Sequence, residues 1–229
     1  GMLRYGIPDF RLPPSTIDRY AEKLLTLGIH IRPNTTIGGA ISVDDLFRDG
    51  YEAIFMGTGA WRAKSLGIHG ETLGNCHFAV NYLQNPDVYH LGDRVAVIGS
   101  GNSAMDVART AIRKGSRYVT IYARRNGISA SERELEYALM DGCEIQYAKG
   151  IHSVTPEGPM MYDRVFDENQ KLISEGEPYL IPADSTVIAA SQAAKDKIVR
   201  TTTGIHLNEK GLVKVDENGM TDRDGVFSA

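Results

Sequence analysis

Cysteine is nearly absent from this 229-residue chain: Cys76 and Cys143 are the only two, far apart and in no Cys-x-x-Cys spacing. That excludes a disulfide framework or a four-thiolate cluster drawn from this chain alone. The six histidines, at 30, 69, 77, 90, 152 and 206, fall in no His-x-x-x-His or His-Glu-x-x-His spacing, so no metal site is expected. Excess positive charge is lacking too. With 25 Lys and Arg against 29 Asp and Glu the net charge is −4, which leaves a polyanion no counterion release to exploit. Nucleic acid and anionic membrane are therefore not expected partners. No run approaches the ~18 uninterrupted apolar residues of a membrane span, and the opening residues GMLRYGIPDFRLPP have no apolar signal core, so a cytoplasmic location is expected. No tyrosine is followed four residues later by lysine, so the Tyr-x-x-x-Lys pair of direct carbonyl reduction is missing as well.

Glycine is plentiful, at 24 residues, and 42% of the chain is apolar, enough for a real core. The length corresponds to two modest domains, or one and part of another. Gly1 before Met2 reads as a cloning remnant. Pro13-Pro14-Ser15 ahead of Ile17, Tyr20, Ala21, Leu24 and Leu25 predicts an amphipathic helix stopped by Gly28. Beyond it the pattern predicts a capped helix over 42–48, a strand over 53–56 ending in Gly57-Thr58-Gly59, and a connecting region over 70–92 with one short helix. The final residues 225–229 read as an apolar strand. A domain seldom ends inside one, so the chain is expected to be a fragment.

A cleaner unit starts at Arg94. Val95-Ala96-Val97-Ile98 has the form of a strand buried on both faces, Gly99-Ser100-Gly101 breaks it, and Asn102 or Ser103 can cap a helix over 104–114. A β-rich run at 118–122 completes a βαβ unit. A further helix is predicted over 131–140 and strands over 143–147, 160–166 and 186–190. Within this unit Gly99, Ser100, Gly101, Asn102, Ser103 and Ala104 fit Gly-x-Gly-x-x-Ala between strand and helix. Gly99 serves the tight turn, Gly101 lets backbone approach a pyrophosphate, Ala104 permits close helix–strand packing, and the positive helix end faces the phosphates. The second strand ends in Arg124-Arg125 where an NAD site carries an acid, which favours a 2′-phosphate and therefore NADPH. Asp106, in the first turn of that helix, suits a structural contact better than a pyrophosphate.

The runs Gly-Ile-Pro-Asp-Phe-Arg-Leu-Pro (6–13), Gly-Thr-Gly-Ala-Trp (57–61), Gly-x-Gly-Asn-x-Ala-Met-Asp (99–106), Arg124-Arg125 and Asn-Gly-Met-Thr (218–221), in that order, resemble the small subunit of NADPH-dependent glutamate synthase and related FAD/NAD(P)-binding oxidoreductases. The resemblance implies an α/β fold of two Rossmann-like nucleotide-binding domains, three-layered, with a mostly parallel sheet and some antiparallel strands. Residues 86–190 would form the NADPH-binding domain, and 1–85 with 191–229 a discontinuous FAD-type domain. Gly57, Thr58 and Gly59 would lie beside the flavin, and Ser191 and Gln192, where the family carries a glycine-containing turn, beside the nicotinamide. The family's first Gly-x-Gly-x-x-Gly would precede Met2 and its Gly-Asp would follow Ala229, so the FAD-type domain is expected to be incomplete. Ser129-Ala130 stands where the family reads Met-Pro-Ala. The implied activity passes a hydride from NADPH to FAD and electrons on to a larger partner subunit or an iron–sulfur cluster, with no catalytic acid or base asked of the protein. The alternative is a non-catalytic NADP(H)-binding or subunit-docking module.

Overall fold

In the computed structural model, which describes residues 1–194, 197–209 and 211–229, the apolar run after Arg94 is a strand buried along nearly its whole length. It is one of nine strands in the larger of two units. In chain order these are β1 (Cys76–Phe78), β2 (Arg94–Ile98), β3 (Tyr118–Tyr122), β4 (Glu144–Gln146), β5 (Lys149–Thr155), β6 (Gly158–Phe166), β7 (Leu172–Glu175), β8 (Tyr179–Leu180) and β9 (Ser185–Ile188). Among the helices that accompany them are α1 (Ala79–Gln84), α2 (Asn102–Arg113) and α3 (Glu132–Met140). Five strands form a parallel sheet in the order β1-β9-β2-β3-β4, and β8-β6-β5, with β7 on β6, form an antiparallel layer.

Alternation along β2 shows why the run is continuously apolar. Val95 and Val97 pack with Ala104, Val107 and Ala108 of α2, whereas Ala96 and Ile98 pack with Met161 of the antiparallel layer. Both faces are covered, so polar residues have no place in the strand. The result is a three-layer α/β unit.

Several local expectations change. The region 70–92 is not a mere connector, because β1 pairs with β9 at the sheet edge through Cys76 to Phe78. Its three residues are too short to carry a period-two signal. The cap of α2 is Gly101, with no side-chain cap bond, rather than Asn102 or Ser103. The strands β5, β7 and β8 were not legible as strands. The larger unit comprises Gly1–Ile17 and Ala63–Ser191, and the smaller comprises Asp18–Arg62 and Gln192–Ala229, so the division falls at 62/63 where residue pattern and resemblance put it at 85/86. The difference follows from β1 and α1, which are integral to the parallel sheet and its helical layer.

The smaller unit is built around Val43, Met56, Val199, Ile205 and Val226. Its helix Val43–Arg48 starts in a capping box, the Ser42 hydroxyl accepting from Asp45 N–H and the Asp45 carboxylate from Ser42 N–H. Its strands Ile54–Met56 and Val226–Ser228 pair in parallel, closed by a 3.0 Å bond from Ser228 Oγ to the Met56 carbonyl. The amphipathic helix over 14–26 forms as Pro14–Thr26 but none of its residues is buried; periodicity fixes an apolar face without specifying what covers it.

The segment Gly1–Ile17 is tied into the larger unit by charge. Arg11 donates from Nη1 to Asp106 Oδ2 at 2.7 Å, and its Nε lies 3.1 Å from Glu134 Oε1 in an ion pair. Arg109 bridges Glu134 (3.1 Å) and Asp141 (2.9 Å), and its guanidinium lies 4.5 Å from the Phe10 ring centroid. Asp106 thus has the structural role its position suggests, with Arg11 as its partner. Burial pushes its carboxyl from 3.8 up to about 6, outweighing Arg11, whose charge and hydrogen bond pull it down, while Glu134 adds a push upward. An acid that holds its proton more tightly when folded stabilises the fold fully below about pH 3.8, and that contribution is lost as pH rises through about 6. A rise of that size is equivalent to at most about 3 kcal/mol. Chemical denaturation of wild type and Asp106→Asn at a series of pH values is therefore expected to give a stability difference that moves in favour of wild type as pH falls from about 6 to about 4. Parallel stability curves would overturn this account of Asp106.

Candidate functional site

The C-terminal ends of β2, β3, β4 and β9 open on one edge of the parallel sheet, and a cavity of about 650 Å³ lies there, entirely within the larger unit. Crevices at the carboxyl ends of parallel strands, where the strand order reverses, are where open α/β sheets bind ligands. Here the reversal is at β2, with β3 on one side and β9 on the other.

The floor is the turn from β2 to α2. Gly99 donates to the Tyr122 carbonyl at 3.1 Å and has φ +149°, and a Cβ on it would lie 2.5 Å from the Ala189 carbonyl oxygen. Its glycine is required by the fold. Gly101 is different: at φ −90° and ψ 177° any residue is comfortable, and a Cβ there would meet nothing closer than Ser129 Oγ at 3.7 Å. Gly101 lines the cavity, followed by Asn102 and Ser103 at the start of α2, whose first N–H groups have no partner within the helix. Ala104, fully buried, packs the helix against the sheet.

The loop after β3 is clamped onto this turn. Ser129 and Ala130 N–H both donate to the Ser100 carbonyl, at 2.9 and 2.8 Å, the Ser100 and Ser129 hydroxyls lie 3.2 Å apart, and Asn102 Oδ1 accepts from Ser131 N–H at 3.0 Å. Asn102, weighed as a helix cap, instead holds the loop. Ser131 in turn caps α3. At the other end of the loop the Arg124 carbonyl accepts from Arg164 Nη1 at 3.2 Å, and Arg164 is itself buried and paired with Glu175. Arg124 reaches the cavity wall, and its guanidinium makes no ion pair or hydrogen bond among the described residues. Arg125 is exposed and does not line the cavity.

The opposite rim is Ala189, Ala190 and Ser191. Ser191 has φ +68°, a left-handed conformation that glycine adopts without cost, at the position where a glycine-containing turn was expected. Gly57, Thr58, Gly59 and Gln192 belong to the smaller unit, the three-residue run being exposed after its strand. Six wall residues escaped sequence reasoning altogether: Leu66, Ile68, Lys149, Gly150, Ile151 and Tyr162. The last four come from the antiparallel layer, and no motif marks any of the six. Gly150 is glycine for packing, since a Cβ there would lie 2.3 Å from the Tyr162 ring.

The two thiols lie in the cores. Burial pushes Cys76 up to about 11 and Cys143 up to about 12, so both stay protonated and unreactive near neutrality. Among the described residues no three His, Cys, Asp or Glu side chains gather as metal ligands, and no helix is long and apolar enough to cross a membrane.

The chain is 31% identical to the glutamate synthase [NADPH] small chain of Halomonas elongata, over all of this chain and 54% of that protein. It is 39% identical to the NADP(+)-dependent formate dehydrogenase subunit beta of Moorella thermoacetica, over all of this chain and 35% of that one. It therefore spans about half the length, or less, of these relatives. Among solved structures, Mycobacterium tuberculosis FprA in complex with NADPH shares the fold, with a TM-score of 0.77 at 17% identity, over all of this chain and 68% of FprA. Residues 22–229 match the family described as pyridine nucleotide-disulphide oxidoreductase, and the chain belongs to that family.

Proposed function

We propose that the larger unit binds NADPH and that the chain is the nucleotide-binding portion of an NADPH-dependent flavin oxidoreductase of the glutamate synthase small-subunit kind. The observation that carries this is Gly101. Nothing in the protein requires glycine there, neither its backbone angles nor its surroundings, whereas a pyrophosphate laid across the start of α2 does. The cavity fits the remainder of the nucleotide. First-turn N–H groups face the pyrophosphate, Arg124 offers a guanidinium for the 2′-phosphate, and Ala190 and Ser191 border the nicotinamide end.

When bound, NADPH supplies a hydride and a flavin accepts it; the chain's own residues bind and orient. No side chain needs to move a proton. The smaller unit offers a flavin little by itself, because Gly57, Thr58 and Gly59 follow a three-residue strand in a two-stranded sheet and no helix starts directly from that turn, the next element being the strand Arg62–Ala63. Hydride delivery to FAD and onward transfer to a larger partner subunit, in a compartment where NADPH is plentiful, complete the reading. The names of the relatives support it: a small chain of glutamate synthase and a beta subunit of formate dehydrogenase are parts of larger assemblies.

Gly101→Val is expected to unfold within about 1 kcal/mol of wild type, since its φ and ψ suit a branched residue, yet to lose nucleotide binding. Gly99→Val should lose stability instead, through the strain at φ +149° and the Ala189 carbonyl. Calorimetric titration with NADPH beside denaturant unfolding distinguishes the two, and a Gly101→Val variant that binds NADPH at wild-type affinity would reduce the motif to a turn.

Because a charge-assisted contact contributes about 1.5–3 kcal/mol, wild type should bind NADPH at least about tenfold more tightly than NADH, and Arg124→Ala should erase most of that preference. Equal affinities of wild type for the two nucleotides would sink the 2′-phosphate assignment. The purified 229-residue chain should also show no visible flavin absorbance; stoichiometric bound FAD would mean that a flavin site exists which the smaller unit's exposed turn does not explain.

A further inference from the structure

Two charged side chains line the cavity, Arg124 and Lys149, and both are cations; no carboxylate faces it among the described residues. In a chain of net charge −4, a cavity whose only charged wall residues are cations favours an anionic ligand. Lys149 and Arg124 are neighbours through the backbone. Lys149 N–H donates to the Ala123 carbonyl at 3.0 Å, and Ala148 N–H to the Arg125 carbonyl at 3.1 Å, so the start of β5 runs alongside the residues that follow β3.

The Lys149 side chain is held in place. Its ammonium donates to Asp163 Oδ1 and, at 2.6 Å, to the Tyr179 hydroxyl, which leaves one of its three N–H donors unassigned. The side chain is 20% exposed against 60% for Asp163, so the anion of the pair is the more solvated partner. Such a pair is weak in water, and an incoming phosphate dianion competes well for the lysine. A lysine poised by an aspartate and a tyrosine has already given up much of its rotamer freedom before a ligand arrives.

Resting on the NADPH reading above, we infer that Lys149 is the second cation of the 2′-phosphate seat and, with Arg124, determines specificity for a 2′-phosphorylated adenine nucleotide, Arg125 standing outside the seat. Arg125 does not line the cavity, whereas Lys149 does. The lysine supplies a point charge from β5 while the arginine supplies its fork from the loop after β3, so the phosphate would be approached from two elements rather than from two adjacent residues of one loop.

The test uses adenosine 2′,5′-bisphosphate and 5′-AMP as probes, titrated calorimetrically against the 229-residue chain at several salt concentrations. Lys149→Met should lose about tenfold in affinity for the bisphosphate, about 1.4 kcal/mol, with 5′-AMP unchanged and a shallower salt dependence for the bisphosphate. Lys149→Arg should retain most of the preference, and Arg125→Ala all of it. Lys149→Met binding both probes as wild type does would overturn the inference and leave the lysine a partner of Asp163 only. If Lys149→Met fails to fold, Asp163→Asn still decides: freeing the lysine from its competing carboxylate should raise the preference for the bisphosphate over 5′-AMP, whereas an unchanged preference, or equal loss for both probes, would refute the inference. Wild type failing to prefer the bisphosphate at all would remove the 2′-phosphate reading itself, and this inference with it.

Discussion

The close approach of Gly99 to the Ala189 carbonyl is the constraint on which the site depends. Where β2 and β9 end side by side, Ala189 N–H donates to the Ile98 carbonyl at 2.8 Å and Gly99 N–H to the Tyr122 carbonyl at 3.1 Å, so the chain must turn sharply between two strands already in contact. Only a residue without Cβ can do so at φ +149° with an oxygen 2.5 Å from the missing atom. Because the turn is that tight, α2 starts immediately over the sheet edge, Ala104 must be small, and the first residues of the helix, Asn102 and Ser103, line the crevice. The cavity is a consequence of packing.

Once α2 is placed, charge and hydrogen bonds fix its neighbour α3 at two heights. Asn102 holds Ser131 at the N-terminal ends of both helices, and Arg109 joins Glu134 and Asp141 further along. Arg109 and Glu134 are buried, and breaking such a pair is costly even where making it contributes little net stability. Its use here is positional: the loop between β3 and α3, which carries Arg124 and Ser129, is pinned at one end by Arg164 and at the other by Ser100 and Asn102. The segment bearing Phe10 and Arg11 closes the same network, so a stretch remote in sequence stabilises the helix pair that frames the nucleotide loop.

The parallel sheet was legible because burial on both faces writes itself as uninterrupted apolar runs, at 95–98 and 187–190, and because 118–122 is β-branched and aromatic around a single Thr120. Caps and turns marked the helix over 131–140 and the smaller unit's helix over 42–48 for the same local reasons that form them. The antiparallel layer was harder. β7 is exposed along its whole length and β5 mixes Lys, His and Ser with apolar residues, so neither shows a strand pattern, and their identity comes from pairing with β6. The half of the candidate site drawn from the glycine turn and Arg124 was readable from residue type and spacing; Lys149 and Tyr162 were not, because only sheet pairing brings them to the cavity.

Comparison of the two motif glycines separates what the fold needs from what a ligand needs. A glycine with a left-handed φ or a crowded Cβ position, such as Gly99, is explained by the protein alone and says nothing about chemistry. Gly101 has neither feature, and the space its missing side chain leaves opens into a cavity whose only charged wall residues are cations. The converse holds at Ser191, which keeps a positive φ without being glycine, so the fold bears strain at the opposite rim that a glycine would relieve. Strain at non-glycine residues concentrates where geometry is held for a ligand. Unneeded glycine on the floor, a strained serine on the rim and two cations with no carboxylate beside them on the wall are three independent departures from what packing alone would select, and they meet at one crevice.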